Sequence, residues 1–333
     1  MRVTLLGAGR IGRLHARILA ETDGVEELII ADSDAERARD VAAEVGAAAV
    51  DTIEAALRRA DAVVIAAATD AHASLIRTAA DRRLPTFCEK PLARDLESSL
   101  AVGVDIGRSG IAFQLGFQRR FDLAYREARR LVESGELGTV YAVRLAGHDP
   151  APPHESYIPG SGGLFRDLSI HDFDLIRWLT GAEVEEAYAM GAVRGFPVFA
   201  KYGDVDTAVA ALRLTDGTLA MLTAARHDPL GYDIRTELFG SQDSVTVGLG
   251  PRTPMRSLEP GVPPPTGPAW PDFLDRFAGA YRAELAAFIP VARGEAPSPC
   301  TAHDGIAALR IAEAATLSLN ERRPVRLAEI PGG

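Results

Sequence analysis

The sequence predicts an α/β unit built on a parallel sheet, followed by an α+β unit with an open, mostly antiparallel sheet. Three observations carry that expectation. Over residues 1–120, short apolar runs alternate with helical patterns, the rhythm of parallel strands joined by crossover helices. Beyond Gly116 the rhythm changes to strands in succession, separated by turn signals. The chain has 333 residues, long enough for two domains at roughly 100–200 residues each.

The elements follow in order. Residues 2–6 (RVTLL) read as a strand and 11–21 as a helix. Residues 27–31 read as a strand, 34–45 as a helix, 62–67 as a buried strand and 70–82 as a helix. A short strand at 85–88, a helix at 93–108 and a strand at 111–116 complete the first rhythm. A helix at 122–134, closed by Ser134 and Gly135, precedes a strand at 139–148. Residues 150–163 are rich in Pro and Gly and read as a long loop, a feature associated with function or mobility. A helix at 167–180 follows, then strands at 184–192, 205–214, 218–226, 232–239 and 244–248. Asp216-Gly217, between two of these, is a strong hairpin signal. Residues 250–271 read as a surface loop, and helices at 272–293 and 302–320 close the chain. The domain boundary falls between residues 120 and 121, with the last helices available to pack back on the first domain.

Composition narrows the function. Hydrophobic residues are 47% and charged residues 25%, the balance of a globular protein rather than a disordered one. With 36 basic against 46 acidic residues the net charge is −10, which argues against nucleic-acid or anionic-membrane partners. No apolar run approaches the roughly 18–20 residues of a spanning helix, and the first residues lack a signal-peptide pattern. Two cysteines, Cys88 and Cys300, make no disulfide framework, so a reducing, cytoplasmic setting is expected.

Gly7-Ala8-Gly9-Arg10-Ile11-Gly12 follows the first strand and opens the first helix, the context a dinucleotide fingerprint requires. Gly7 allows the tight turn, Gly9 the approach of a pyrophosphate, and Gly12 the packing of helix on strand. Asp32, 20 residues after Gly12 at the end of the second strand, suits the adenosine ribose hydroxyls and disfavours a 2′-phosphate. NAD is therefore expected, with Ser33 beside Asp32; Arg37 and Arg39 keep NADP open as the alternative. Thr69 and His72 follow the 62–67 strand at the same edge, where Thr69 or Asp70 serves equally well as a helix cap.

Glu89-Lys90-Pro91 lies just beyond the strand ending at Cys88, and ligands of open α/β sheets sit outside the carboxyl ends of strands. Lys90 is thus placed where a substrate meets the nicotinamide; the bland alternative is a solvated lysine. On a helix over 167–180, Asp167 and His171 are i and i+4 and share a face. A carboxylate beside an imidazole orients it and makes an acid/base pair; the alternative is a capping Asp and an incidental His. His148, Asp149 and His154 show no compact ligand spacing, so no metal is expected. Neither a GxSxG elbow nor a Walker loop is present.

Taken together, GAGRIG, the ATDAH segment at 68–72, EKP at 89–91, GFQRRFD at 116–122 and the GG-x₃-D-x₃-HDFD run at 162–174 resemble the Gfo/Idh/MocA oxidoreductases. The order and spacing hold over about residues 1–320. HDPAPP at 148–153, GYDIRTELFGS at 231–241 and FAGAYRAELAAF at 277–288 are similar to the bacterial myo-inositol 2-dehydrogenase subgroup. The resemblance implies a Rossmann domain over 1–120 and an α+β domain over 121–333 whose open sheet mediates dimers or tetramers. It implies Lys90, Asp167 and His171 as the catalytic lysine, aspartate and histidine. His171 would take the hydroxyl proton as hydride passes to the nicotinamide, Asp167 would orient His171, and Lys90 would hydrogen-bond the reacting oxygen. Gly7, Gly9, Arg10, Ile11, Gly12, Asp32, Ser33, Thr69, His72, Glu89 and Lys90 would hold NAD. Arg120, Asp149, Tyr157 and Tyr232 would line a polyol pocket with the catalytic three. Departures at Ala67-Ala68, Gln118, His154 and Glu155 bear on the substrate rather than the cofactor. Family variants leave another sugar or aminocyclitol, a nicotinamide-dependent glycosidase or a non-catalytic NAD-binding regulator as alternatives.

Overall fold

The computed structural model describes residues 1–332. They form two compact units. The first comprises Met1–Phe121 and Gly279–Ala307, the second Asp122–Ala278 and Ala308–Gly333. The stretch 279–307 therefore folds with the N-terminal residues and not with 122–278.

The first unit is a six-stranded sheet of β1 (Arg2–Leu6), β2 (Glu27–Ala31), β3 (Ala48–Ala49), β4 (Ala62–Ile65), β5 (Thr86–Glu89) and β6 (Phe113–Gly116). The strand order is β3-β2-β1-β4-β5-β6 and every pairing is parallel. Central strands of such a sheet are covered on both faces and so lack polar alternation. Val3, Leu5, Ile29, Ile30 and Val63–Ile65 are accordingly all buried. The order reverses between β1 and β4, and both chain turns leaving these strands open at the same sheet edge. Residue pattern alone indicated the strands at 2–6, 27–31, 62–67, 85–88 and 111–116. The two-residue β3 and the short helix Ile53–Leu57 escaped it, being too brief to show a period. From the C-terminal stretch of this unit, Phe288 packs edge-on against Phe87 with ring centroids 5.9 Å apart.

The second unit carries β7 (Val140–His148), β8 (Val184–Ala192), β9 (Thr207–Leu214), β10 (Leu219–Ala225), β11 (Asp233–Gly240), β12 (Ser244–Val247) and β13 (Val325–Arg326). They form one sheet in the order β12-β11-β7-β10-β9-β8-β13, antiparallel except where β10 runs parallel to β7. Asp216 and Gly217 make the β9–β10 turn as expected: Gly217 adopts φ +89°, and Asp216 accepts from the Thr218 amide at 2.9 Å. β9 reads exposed–buried along its whole length, so one face of the sheet is covered and the other open. On the covered face, Ser318 of the helix Ala302–Glu321 accepts from the Ala189 amide of β8 at 2.9 Å.

Two expectations need correction. Residues 150–163 are not structureless: they hold a 3₁₀ turn at Glu155–Tyr157 and a short helix at Ile158–Ser161. The helix expected over 167–180 is two, Leu164–Asp167 and Ile170–Thr180. The Leu164 carbonyl accepts from both the Leu168 amide at 3.0 Å and the Ser169 amide at 3.3 Å. The second of these is a wide, five-residue step of the kind seen in π-bulges, and it interrupts the helical ladder.

Candidate active site residues on each unit

In the first unit the Gly7–Gly12 segment takes the form its glycines require. Gly7 has φ +102°, and a Cβ there would lie 2.5 Å from the Ala67 nitrogen. A Cβ on Gly12 would lie 2.0 Å from the Gly7 carbonyl oxygen, so the helix can pass this close to the turn only with glycine. At Gly9 a Cβ would meet no atom within 4 Å; the backbone faces open space. The helix Arg10–Ala20 that starts here has no side-chain cap at Gly9 and no acidic residue in its first turn. Its leading N–H groups and positive dipole end are therefore offered to an anion. These residues fit the pyrophosphate of a dinucleotide, with Arg10 and Ile11 in the first turn.

Asp32 sits at the end of β2, nearly buried. Its Oδ2 accepts from the Ala8 amide at 2.6 Å, and its Oδ1 from the Asp34 amide at 2.9 Å and the Arg37 guanidinium at 2.5 Å. The Ser33 hydroxyl donates to the same oxygen at 3.2 Å. Burial opposes ionisation, but Arg37 and the two amides outweigh it and hold the carboxyl at about 2. Asp32 is thus a fixed carboxylate at the strand end, tied to the glycine turn through Ala8.

Thr69 begins the helix Thr69–Asp81, whose N-cap is Ala68; neither Thr69 nor Asp70 caps it. His72 is buried. Its Nδ1 lies 2.7 Å from the Pro91 carbonyl oxygen and its Nε2 3.1 Å from that of Ala67, so the ring sits between two backbone acceptors and, when neutral, donates its single N–H to one of them. Burial lowers its pKa despite these acceptors. Lys90, joined to Pro91 by a cis peptide bond, is half-buried at the end of β5, and its amide donates to Glu89 Oε2 at 3.2 Å. Glu89 Oε1 meets His15 Nε2 at 2.7 Å. Glu284, in the same unit, is fully buried, and among the described residues neither carboxyl oxygen has a hydrogen-bond partner. Burial first, and the Glu89 charge second, push the Glu284 carboxyl well up. Arg120 is buried as well, donating to the Pro299 carbonyl at 2.9 Å and pairing with Asp304 at 3.0 Å. Burial opposes the Asp304 charge, yet Arg120 and Thr301 hold that carboxyl at about 2.

In the second unit, Asp167 ends the first of the two short helices and His171 lies in the first turn of the second. The i, i+4 argument for a shared face assumed an unbroken helix and does not apply across the Leu168–Ser169 step. What does hold the Asp167 carboxylate is explicit: Tyr157 Oη donates to Oδ1 at 2.9 Å and Arg226 Nη1 to Oδ2 at 2.8 Å. Partial burial and the Asp167 charge push the half-exposed Tyr157 phenol up. Asp149, just past β7, has its Oδ2 3.6 Å from the same Arg226 nitrogen. Asp149, Tyr157 and Asp167 are thus brought together. Tyr232 is instead buried, edge-on to Phe277 with centroids 6.4 Å apart.

Arg226 was not singled out from sequence. It follows the last residue of β10 and is 2% exposed. An arginine ending an otherwise apolar strand in a chain with carboxylates at neighbouring strand ends was the available signal. One other cluster also went unread. His148, Asp228 and Asp233 bring ligand atoms within 4.8 Å of one another. Arg235 forks onto both Asp233 oxygens at 2.8 and 2.9 Å, which neutralises the cluster from within. Among the described residues no helix is long and apolar enough to cross a membrane.

Residues 1–115 match the profile of an oxidoreductase family with an NAD-binding Rossmann fold, and residues 125–246 that of the GFO/IDH/MocA C-terminal domain. The chain is 39% identical over 322 residues to the myo-inositol dehydrogenase Hyg17 of Streptomyces leeuwenhoekii, covering 96% of this chain and 97% of that one. Among solved structures it is similar to a probable dehydrogenase from Thermotoga maritima, with TM-score 0.93, 33% identity, and 99% and 100% of the two chains covered. It is also similar to the scyllo-inositol dehydrogenase of Lactobacillus casei with bound NAD(H) and scyllo-inositol, at TM-score 0.88, 30% identity, and 98% and 99% coverage. With both halves matched in order, the chain belongs to the Gfo/Idh/MocA oxidoreductase family and is an NAD-dependent oxidoreductase.

Proposed function

We propose that this enzyme oxidises one ring hydroxyl of a cyclitol, converting myo-inositol to 2-keto-myo-inositol with NAD. The observation that carries the reading is the complete set Lys90, Asp167 and His171 in a chain 39% identical, almost end to end, to a protein named myo-inositol dehydrogenase. A regulator that had lost its chemistry would have no need of that set.

The residues divide the work. When bound, NAD would supply the hydride acceptor for the carbinol carbon. Gly7, Gly9, Arg10, Ile11 and Gly12 hold its pyrophosphate at the helix N-terminus, and Asp32 with Ser33 takes the ribose hydroxyls. Arg37 competes for Asp32 Oδ1; the Oδ2 oxygen, held by a single amide at 2.6 Å, remains as acceptor. Thr69, His72 and Glu89 act on the same end, His72 and Glu89 through the backbone of the Lys90 turn. His171 removes the hydroxyl proton, so the alcohol loses one hydride and one proton and becomes a ketone. Asp167 keeps the imidazole oriented and balances its positive charge, and Lys90 hydrogen-bonds the reacting oxygen. Asp149, Tyr157, Arg120 and Tyr232 serve the remaining hydroxyls, Arg120 and Tyr232 from buried positions.

The active form is a homo-oligomer built on the open face of the second unit's sheet. Tyr188, Met190, Val209, Leu219 and Met221 are all exposed there, and the register places Met190 opposite Val209. An apolar patch of this kind on a sheet face marks a protein interface. The two buried free cysteines suit a reducing cytoplasm.

The test is NADH formation at 340 nm with NAD and a panel of inositols, aminocyclitols and common sugars. Turnover on myo-inositol above all others is expected. Selective turnover of a different polyol would replace the substrate, and silence across the panel with NAD bound would overturn the reaction.

A further inference from the structure

Asp167 is a closely held carboxylate of the second unit's site, and a charged partner comes to it from outside the motif. Arg226 stands one residue beyond β10, its amide donating to the Asp206 carbonyl at 2.8 Å. That carbonyl belongs to a residue whose carboxylate accepts the Arg194, Gly195 and Phe196 amides, each at 2.8 Å. The Arg226 backbone is therefore anchored at a rigid point. The side chain reaches Asp167 Oδ2 at 2.8 Å and comes within 3.6 Å of Asp149 Oδ2 through the same Nη1. Arg226 Nε and Nη2 are buried with no hydrogen-bond partner among the described residues. A desolvated guanidinium whose short contacts all go to site carboxylates serves those carboxylates, because the core would be better filled by an apolar side chain of the same volume.

We infer that Arg226 is a positioning residue for the dehydrogenation: it holds Asp167 as a carboxylate in one orientation, together with Tyr157, and keeps Asp149 beside it. This rests on the proposed reaction. The groups around the pair are Tyr157 from the 3₁₀ turn at Glu155–Tyr157, Asp149 past β7 and Asp204 before β9. Three carboxylates around one cation repel one another once it is removed. Losing Arg226 would favour protonation of Asp167 and release its Oδ2 from a fixed donor.

The experiment compares R226Q, R226K, D167N and R226Q/D167N in the intact enzyme. R226Q is expected to lower kcat by about 10–100-fold, the loss of one charge-assisted hydrogen bond, with a smaller change in KM. The acid limb of its kcat/KM profile should move to higher pH. R226K, keeping the charge but not the reach of the guanidinium Nη1, should leave the limb in place and lower kcat several-fold. The double variant should be no slower than D167N, since Arg226 acts through Asp167. Wild-type kcat in R226Q, or additive losses in the double variant, overturns the inference. If R226Q does not fold, R226K decides alone, and wild-type kcat in it overturns the inference. A substrate-free readout separates this from the reaction itself. Carbon-13 NMR titration of the Asp carboxyls, with Asp167 assigned through D167N, should show its midpoint raised in R226Q and not in R226K. A silent wild type with that shift would sink only the reaction; an active wild type without it would sink only the role of Arg226.

Discussion

Glu284→Gln puts a neutral amide of the same shape where a fully buried carboxyl lies without a hydrogen-bond partner among the described residues. Burial, and then the nearby Glu89 charge, hold the folded-state pKa of Glu284 well above the ordinary 4.5. The unfolded chain ionises this group near 4.5, while the folded one keeps its proton. The folded state therefore binds more protons in the window between the two values. Stability is fully present below the unfolded value and is lost as pH rises toward the folded one, at ~1.4 kcal/mol per pH unit. Glutamine has no such slope. For each pH unit over which the folded chain keeps the proton that the unfolded one has lost, the variant should gain about 1.4 kcal/mol on the wild type, roughly 3–5 °C in Tm for a unit of this size. Paired thermal melts followed by circular dichroism, from about pH 5 to about pH 8, read the difference directly. The two curves should diverge steadily with pH, the variant gaining. Parallel curves across that range would refute the reasoning, since they would mean that Glu284 is ionised in the folded protein.

Four further outcomes are expected. Lys90→Ala and His171→Ala should each lower kcat by roughly 10²–10⁴-fold while NADH still binds, as followed by its fluorescence. Asp32→Ala should weaken NAD binding and narrow the preference for NAD over NADP, measured by calorimetry with each cofactor. Gly12→Val puts a branched side chain where even a Cβ would lie 2.0 Å from the Gly7 oxygen; it should abolish NAD binding in whatever fraction folds. Met190→Asp with Met221→Asp places two charges on the open sheet face and should lower the oligomeric mass seen by light scattering.

Much of the parallel sheet was legible because each of its principal strands carries an apolar run bounded by turns, as at Val3–Leu6 and Ala62–Ile65. The glycine turn was legible because Gly7 and Gly12 stand where no Cβ fits, against Ala66–Ala67 and against Gly7 itself. The break at Leu168–Ser169 was not. A count of helical period has no means of registering one extra residue within a turn, and the local residues carry no proline or glycine to announce it. Arg226 was hidden for a different reason: its role depends on Asp167 and Asp149, 59 residues and more away, and no spacing rule spans such a distance. Glu284 could have been found. It falls on the apolar stripe of its helix with Tyr281, Leu285 and Phe288, and a carboxyl on such a stripe is a signal in itself.

The imidazole of His72 bridges two loops that the sheet alone leaves independent. With one nitrogen beside the Ala67 carbonyl and the other beside that of Pro91, the turn after β4 and the turn after β5 both close on this one buried ring, whose N–H donates to one of them. Loops that fluctuate separately explore their joint arrangements on nanosecond to microsecond timescales, and each visit to the wrong one dilutes the reactive population. Joined, they lose that freedom once, during folding, rather than at every turnover. The lysine that follows β5 is therefore already in register with the cofactor-side turn before any ligand arrives, and the entropy of aligning the two is absent from the barrier.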